Sequence, residues 1–294
     1  MFLNKATTTE NLDLSNGRDL NYYLDLTKDY KHDFKFVIKN IEGFNVIDDG
    51  EFEAGTKAKM ADFFISQVKE DALVYVAPRT GMAPLSLCYL AEKYNKKLYL
   101  LMPASKEASE HQLLAIERGA TPIFVKIAAM PTANIYAERF AKTIGAKYLP
   151  FGLKTEMVVA GGVRIMHDTL KDLGIKTMWS VFSTGVLSRT LQIALPDTEF
   201  NAVAVARNVQ EGELGRAKFY SYDKPFLKPT KMDIPFDCIK TYDAKGWELM
   251  KKFGKEGDYF WNVAKSTPKP TLKPSDVDSQ REWRDFRDIE KYSK

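Results

Sequence analysis

Residues 72–103 read ALVYVAPRTGMAPLSLCYLAEKYNKKLYLLMP. The run Ala72 to Ala77 is apolar throughout, as a strand buried on both faces requires, and Pro78, Arg79, Thr80 and Gly81 break it. A helix is expected from about Ala83 to Tyr94, and the next apolar run, Lys97 to Met102, stops at Pro103. The unit then repeats: a helix from about Lys106 to Arg118 ended by Gly119, a strand at Pro122 to Lys126, a helix at about Thr132 to Ile144 and a strand around Tyr148 to Pro150. Alternation at this spacing demands parallel pairing through right-handed crossovers.

Upstream, short strands are expected at Phe34 to Lys39 and Phe44 to Ile47, behind a polar lead-in from Met1 to Asp33. The acidic stretch Asp48, Asp49, Glu51 and Glu53 closes on Gly55, Thr56 and Lys57. Met60, Phe63, Phe64 and Ile65 line one face of a helix over Lys57 to Val68, with Thr56 able to cap it.

Downstream, the pair Gly161 and Gly162 precedes a helix to about Leu173, followed by a strand at Thr177 to Phe182, the loop Ser183, Thr184, Gly185 and a helix at about Ser188 to Leu195. Ala202 to Ala206 is the last clear sheet element before an irregular stretch, Asn208 to Asp237. A helix at Ala244 to Lys255 and a strand at Tyr259 to Trp261 follow. Beyond Ser266 the prolines give an extended tail, and the charged stretch to Lys294 suits a short helix.

The chain has 294 residues, 45% of them hydrophobic, enough for one large or two modest cores. Its formal charge of +4 is mild for that length and does not demand a polyanionic partner. Cys88 and Cys238 lie far apart without metal-ligand spacing, which fits buried thiols in a reducing compartment. The N-terminus lacks a basic segment followed by an apolar one, and no run nears the roughly 20 apolar residues of a membrane span. A cytoplasmic protein without membrane association is expected. His32, His111 and His167 are too scattered for a metal site or a triad, so no metal is expected.

Two strand-loop-helix junctions could hold an anion at a helix N-terminus: Pro78 to Gly81 and Ser183 to Gly185. Loops at the carboxyl ends of parallel strands are where ligands settle. Lys57, on a first helical turn, is disfavoured there as a mere surface cation, because the dipole end is positive.

On these residues the chain resembles the pyridoxal-phosphate enzymes of the tryptophan-synthase β fold, the family of cysteine synthase, threonine synthase and aminocyclopropane-carboxylate deaminase. Gly55, Thr56, Lys57, Ala58, Lys59 and Met60 occupy the places of the deaminase branch's lysine cassette. Thr80, Gly81, Ala83 and Ala91 match a family loop and helix, and Pro103, Glu110, Leu114 and Arg118 to Ala120 match the stretch after it. Gly161 and Gly162 before a helix, then Ser183, Thr184 and Gly185, look like the phosphate cup, and Gly257 like the closing turn. The resemblance spans roughly residues 44 to 264.

The family implies an α/β fold of two open parallel-sheet domains (PLP fold type II): residues 1–66 with 163–266 as the large cofactor-binding domain, 67–162 as the small domain and 267–294 as a tail. It implies pyridoxal 5'-phosphate held as a Schiff base on Lys57, with Lys59 as the rival amine. Arg79, Ser183, Thr184, Gly185 and Ser188 would complete the cofactor site, with Arg189 nearby. Arg79 stands where the family usually has Asn. Ser266 or Thr267 would face the ring nitrogen, and Thr80, Gly81 and Met82 the substrate carboxylate. The activity implied is a lyase or transferase acting on a small amino acid by elimination or replacement, in a homodimer engaged in amino-acid metabolism.

Two other readings start from the same residues. The stretches VAPRTGMAPL and STGVLSRTL look like phosphoribosyltransferase loops, although Val181 and Phe182 stand where that family has an acidic pair. A diverged member of the fold could instead be non-catalytic or act on a modified nucleic acid, given the basic tail after Lys265.

Overall fold

The computed structural model describes residues 18–103, 107–125, 129–205, 209 and 213–278. These fall into two compact units. The first comprises the described parts of Asn11–Phe63 and Thr155–Ser266, the second Phe64–Lys154 and the described residues from Thr267 onward.

The second unit holds the stretch that opened the sequence reading. Its strands are β3 (Ala72–Val76), β4 (Lys97–Pro103), β5 (Thr121–Val125) and β6 (Lys147–Tyr148), in the order β5-β4-β3-β6 and all parallel. Helices α3 (Ala83–Lys93), α4 (Glu110–Glu117) and α5 (Met130–Thr143) connect them. The apolar runs became central strands because both faces are covered: Val74, Val76, Leu101, Ile123 and Val125 pack with Ala133, Ala137 and Phe140 of α5. Ser109 caps α4 in a reciprocal capping box with Gln112, whose amide also donates to Ala77 O and Pro103 O, each at 3.3 Å. That side chain fixes the carboxyl ends of β3 and β4 relative to one another. The tail residues Thr271 and Leu272 bond the Glu117 carboxylate, and the short helix α9 (Pro274–Asp278) follows. The charged stretch expected to form a terminal helix lies from residue 279 outside the described residues.

The first unit carries β1 (Ile38–Ile41), β2 (Phe44–Asp48), β7 (Thr177–Phe182), β8 (Glu199–Ala204), β9 (Lys218–Ser221) and β10 (Tyr259–Asn262), ordered β1-β2-β10-β7-β8-β9. Among the described residues only the β1-β2 hairpin of this sheet is antiparallel. One face is covered by α8 (Asp243–Phe253), whose Trp247 and Met250 pack with Phe44, Val46, Trp179, Val181 and Phe260. The other elements are α1 (Leu20–Leu26), α2 (Gly55–Ser66, whose last three residues belong to the second unit), α6 (Glu156–Leu170) and α7 (Val186–Ala194). The chain runs β7-α7-β8-β9 outward and then returns through α8 to insert β10 between β2 and β7. β10 is the last strand of this sheet and pairs in parallel with both β2 and β7, so the carboxyl ends of the three lie side by side.

Three expectations need correction. Gly161 and Gly162 do not precede a helix but sit inside α6, where they allow close approach: a Cβ on Gly161 would come within 2.7 Å of Phe63 Cβ, and one on Gly162 within 2.7 Å of Thr190 Cγ2. The irregular stretch contains β9, an edge strand with only Tyr220 partly sheltered. The polar lead-in contains α1, capped by Asp19, with Tyr23 buried and the helix packed on α6. Cys88 and Cys238 are buried free thiols. Among the described residues no helix is long and apolar enough to cross a membrane.

Candidate active site

Lys57 lies on the first turn of α2, and the structure locks that turn to the end of β10. Thr56 donates its backbone N–H to Val263 O at 3.0 Å, and its hydroxyl accepts from Trp261 Nε1 at 2.9 Å. Lys57 itself is half-buried, and burial lowers its ammonium pKa from 10.5 to about 8. An amine so placed has a far larger neutral, nucleophilic fraction near physiological pH than an ordinary lysine.

Lys59, two residues on, projects about 200° away around the helix. It is 4% exposed, its Nζ lies 2.6 Å from Asp49 Oδ1 and donates to Lys35 O at 2.7 Å, and the rings of Phe36, Phe52 and Phe34 surround it at 4.3, 5.0 and 6.0 Å. Burial pushes the Asp49 carboxyl pKa upward, and the Lys59 ammonium opposes it. This lysine is engaged in the fabric of the unit.

At the neighbouring strand end, Ser183, Thr184 and Gly185 lead from β7 into α7. Gly185 adopts φ +79°, a left-handed conformation suited to glycine, and a Cβ there would also press on the Phe182 ring at 2.8 Å. Among the described residues no side chain caps α7, which leaves its first-turn amides suited to an anion. Ser183 Oγ lies 3.1 Å from Tyr242 Oη, and the Thr184 hydroxyl has no partner among the described residues.

Ser188, expected beside the phosphate, is on the first turn of α7 with its side chain buried at 1% exposure, where its Oγ accepts from Gln192 Nε2 at 3.1 Å. The same amide donates to Leu214 O, and Arg216 closes the far end of α7 by donating to Gln192 O and Leu195 O. Arg189 is buried too, with Nη1 donating to Glu213 O at 3.4 Å. Both serve the buried side of α7.

Ser266, expected against a ring nitrogen, instead donates its hydroxyl to Asp237 Oδ1 at 2.6 Å. Its companion Thr267 belongs to the other unit. A better-placed group escaped the sequence reading: Asp243, at the start of α8, is fully buried and accepts from Val263 N at 3.2 Å through Oδ1. Its Oδ2 has no hydrogen-bond partner among the described residues, and burial drives its pKa well above the ordinary carboxylate range. One residue thus connects the two groups. Val263 offers its N–H to Asp243 and its C=O to Thr56, the neighbour of Lys57. An acidic residue opening the helix that leads to the Gly257 turn was the available signal, but it reads as a helix-start charge.

The other junction belongs to the second unit. Arg79 is exposed and its Nη1 donates to Glu107 O at 2.8 Å. Thr80 is exposed, Gly81 has φ +131°, and Met82 opens α3 without a side-chain cap.

No family model matches the sequence, and no curated protein matches it either. Solved structures do. The chain superposes on an ACC deaminase homologue with a TM-score of 0.69 at 15% identity, covering 82% of this chain and 94% of that one. Threonine deaminase isoform 2 from Solanum lycopersicum gives 0.61 at 12% identity, over 84% and 90% of the two chains. A pyridoxal 5'-phosphate-dependent aspartate racemase gives 0.58 at 11% identity, over 90% and 98%. The fold is therefore the α/β architecture of the tryptophan-synthase β type, with its parallel sheets, as the sequence had suggested.

Proposed function

We propose that the protein is a pyridoxal-phosphate-dependent enzyme acting on a small amino acid, with Lys57 as the amine that holds the cofactor. The observation that carries this reading is a half-buried lysine of lowered pKa, tied through Thr56 to the end of β10 beside the carboxyl end of β7. The fold shared with the racemase and the deaminases supports it.

The residues present fit the cofactor on three counts. The open first turn of α7 behind Gly185 suits a phosphate. Lys57 suits an aldehyde. Asp243 Oδ2, buried without a donor, suits a protonated ring nitrogen, and such a partner would relieve the cost of leaving that oxygen unsatisfied. The role first given to Ser266 or Thr267 passes to Asp243.

When bound, pyridoxal phosphate would supply an electron sink for the pair released at the substrate's α carbon. The remaining work falls to the chain. Lys57 Nζ would take the substrate's α or β proton, for which a pKa near neutrality is needed. Thr184 and the α7 amides would hold the phosphate, and Asp243 would keep the ring nitrogen protonated. In the second unit, Thr80, Gly81 and Met82 offer backbone amides and Arg79 a guanidinium, groups suited to a substrate carboxylate. Elimination and replacement at the β or γ carbon both follow from this arrangement, so a lyase and a transferase share it.

Val181 and Phe182 are buried in β7 at 2% and 1% exposure, so the acidic pair of a phosphoribosyltransferase has no counterpart. Nothing at the junction favours that reading.

Incubating the purified protein with pyridoxal phosphate should produce a yellow species whose visible band borohydride removes. Asp243→Asn should retain the band but displace it and its pH dependence. A preparation that stays colourless after reconstitution contradicts the proposal.

A further inference from the structure

We infer that Tyr242 is a positioning residue that orients the Ser183 hydroxyl toward an anion held at the N-terminus of α7. The inference deepens the proposed function, resting on its assignment of that junction to the cofactor's phosphate.

It follows from counting protons. The Tyr242 phenol carries one proton and has two oxygen neighbours, Val181 O at 3.3 Å and Ser183 Oγ at 3.1 Å. A carbonyl only accepts. When the phenol proton lies on Val181 O, the contact with Ser183 is a hydrogen bond only if serine donates, and its proton then points away from the helix end. In the other arrangement Tyr242 donates to Ser183 Oγ, and the serine proton is released to an outside acceptor.

The balance between the two states favours a switch on anion binding. The bond to Val181 O is long, well beyond the roughly 2.7–2.8 Å usual between a hydroxyl and an oxygen acceptor, so little is lost by breaking it. A serine proton delivered to a phosphate oxygen forms a charge-assisted bond, about twice as strong as a neutral one. Burial raises the phenol pKa, so Tyr242 keeps the proton that the switch needs. Ser183 also stands at the right place, two residues before Gly185 and the uncapped first turn of α7.

Thr184 does not depend on this arrangement, because its hydroxyl has no such neighbour among the described residues. Ser183 alone is directed by a second side chain. The assignment is therefore specific to one of the two hydroxyls that the sequence offered to the phosphate.

The test measures dissociation constants of the full-length protein for pyridoxal phosphate, for pyridoxal lacking the phosphate, and for inorganic phosphate. Wild type is compared with Tyr242→Phe, Ser183→Ala and the double variant. Tyr242→Phe should weaken pyridoxal phosphate and inorganic phosphate about tenfold, the scale of one hydrogen bond to a charged group, and leave pyridoxal unchanged. The double variant should bind no more weakly than Ser183→Ala alone. Equal weakening for pyridoxal and pyridoxal phosphate would mark a structural role and overturn the inference, as would additive losses or no loss at all. If Tyr242→Phe fails to fold, Ser183→Ala decides: an unchanged phosphate affinity overturns the inference, and a selective loss of phosphate-bearing ligands supports it. Wild type that binds inorganic phosphate but neither pyridoxal compound would defeat the proposed function while the phosphate arm still judges the relay. No phosphate binding at all defeats the relay.

Discussion

Lys57 and Lys59 share a helical turn, a residue type and nearly a position, yet the protein treats them in opposite ways. Lys59 is paired with Asp49, bonded to Lys35 O and enclosed by three phenylalanine rings. Lys57 is half-buried, and burial lowers its pKa to about 8. A buried cation that is to stay charged needs a counter-ion. One that is to act as a base or nucleophile needs a pKa lowered toward neutrality. The difference between structural and chemical lysines thus lies in what surrounds each ammonium, and the helix puts the two surroundings on opposite faces.

That contrast can be broken most forcefully at Lys59. Lys59→Met leaves Asp49 buried without its partner and should cost about 3–5 kcal/mol in urea unfolding, while cofactor uptake by the fraction that folds persists. A stable variant that no longer turns yellow would reverse the roles of the two lysines.

The next largest effect is a pH dependence. Folded Lys57 loses its proton near pH 8 whereas the unfolded chain holds it to 10.5, so between these values the unfolded state binds more protons and stability rises with pH. The wild type should gain up to about 3 kcal/mol across that window relative to Lys57→Met, which lacks the titration. Parallel stability curves for the two proteins would show that Lys57 is not desolvated.

The support beneath α2 is open to a smaller perturbation. Gly161→Ala places a methyl against Phe63 and Met60 O, and overpacking of this kind should cost about 1–3 kcal/mol. Thr56→Val, which removes the acceptor for buried Trp261 Nε1, should cost about 1–2 kcal/mol. Calorimetric melting of both variants checks the order, and an unperturbed Thr56→Val protein would mean that the link between α2 and β10 contributes little.

Much of this was legible in the residues because burial writes a strong signal. The runs Ala72 to Ala77 and Thr177 to Phe182 became central parallel strands, since a strand covered on both faces must be apolar throughout. β9 was not legible: an edge strand, Lys218–Ser221 keeps most side chains in water and so shows neither an apolar run nor a deep core residue. Gly161 and Gly162 were read as a helix start because glycine usually interrupts helices. Only the packing partners Phe63 and Thr190, distant in sequence, show why α6 needs small residues there.

The candidate site divides in the same way. Lys57 and Gly185 belong to local patterns, a helix start and a strand-loop-helix turn, and could be singled out. Ser188 has the right composition but faces the buried side of α7, a matter of helix phase and of Gln192 four residues on. Asp243 and Tyr242 owe their positions to contacts with Val263, Val181 and Ser183, tens of residues away, and no local rule distinguishes them from a helix-start charge and a core aromatic.

The central claim is chemical identity at one amine. Loading the protein with pyridoxal phosphate, reducing it with borohydride and sequencing the modified peptide by mass spectrometry should find the pyridoxyl group on Lys57. Finding it on Lys59, or finding no modified lysine after reduction, would contradict the account.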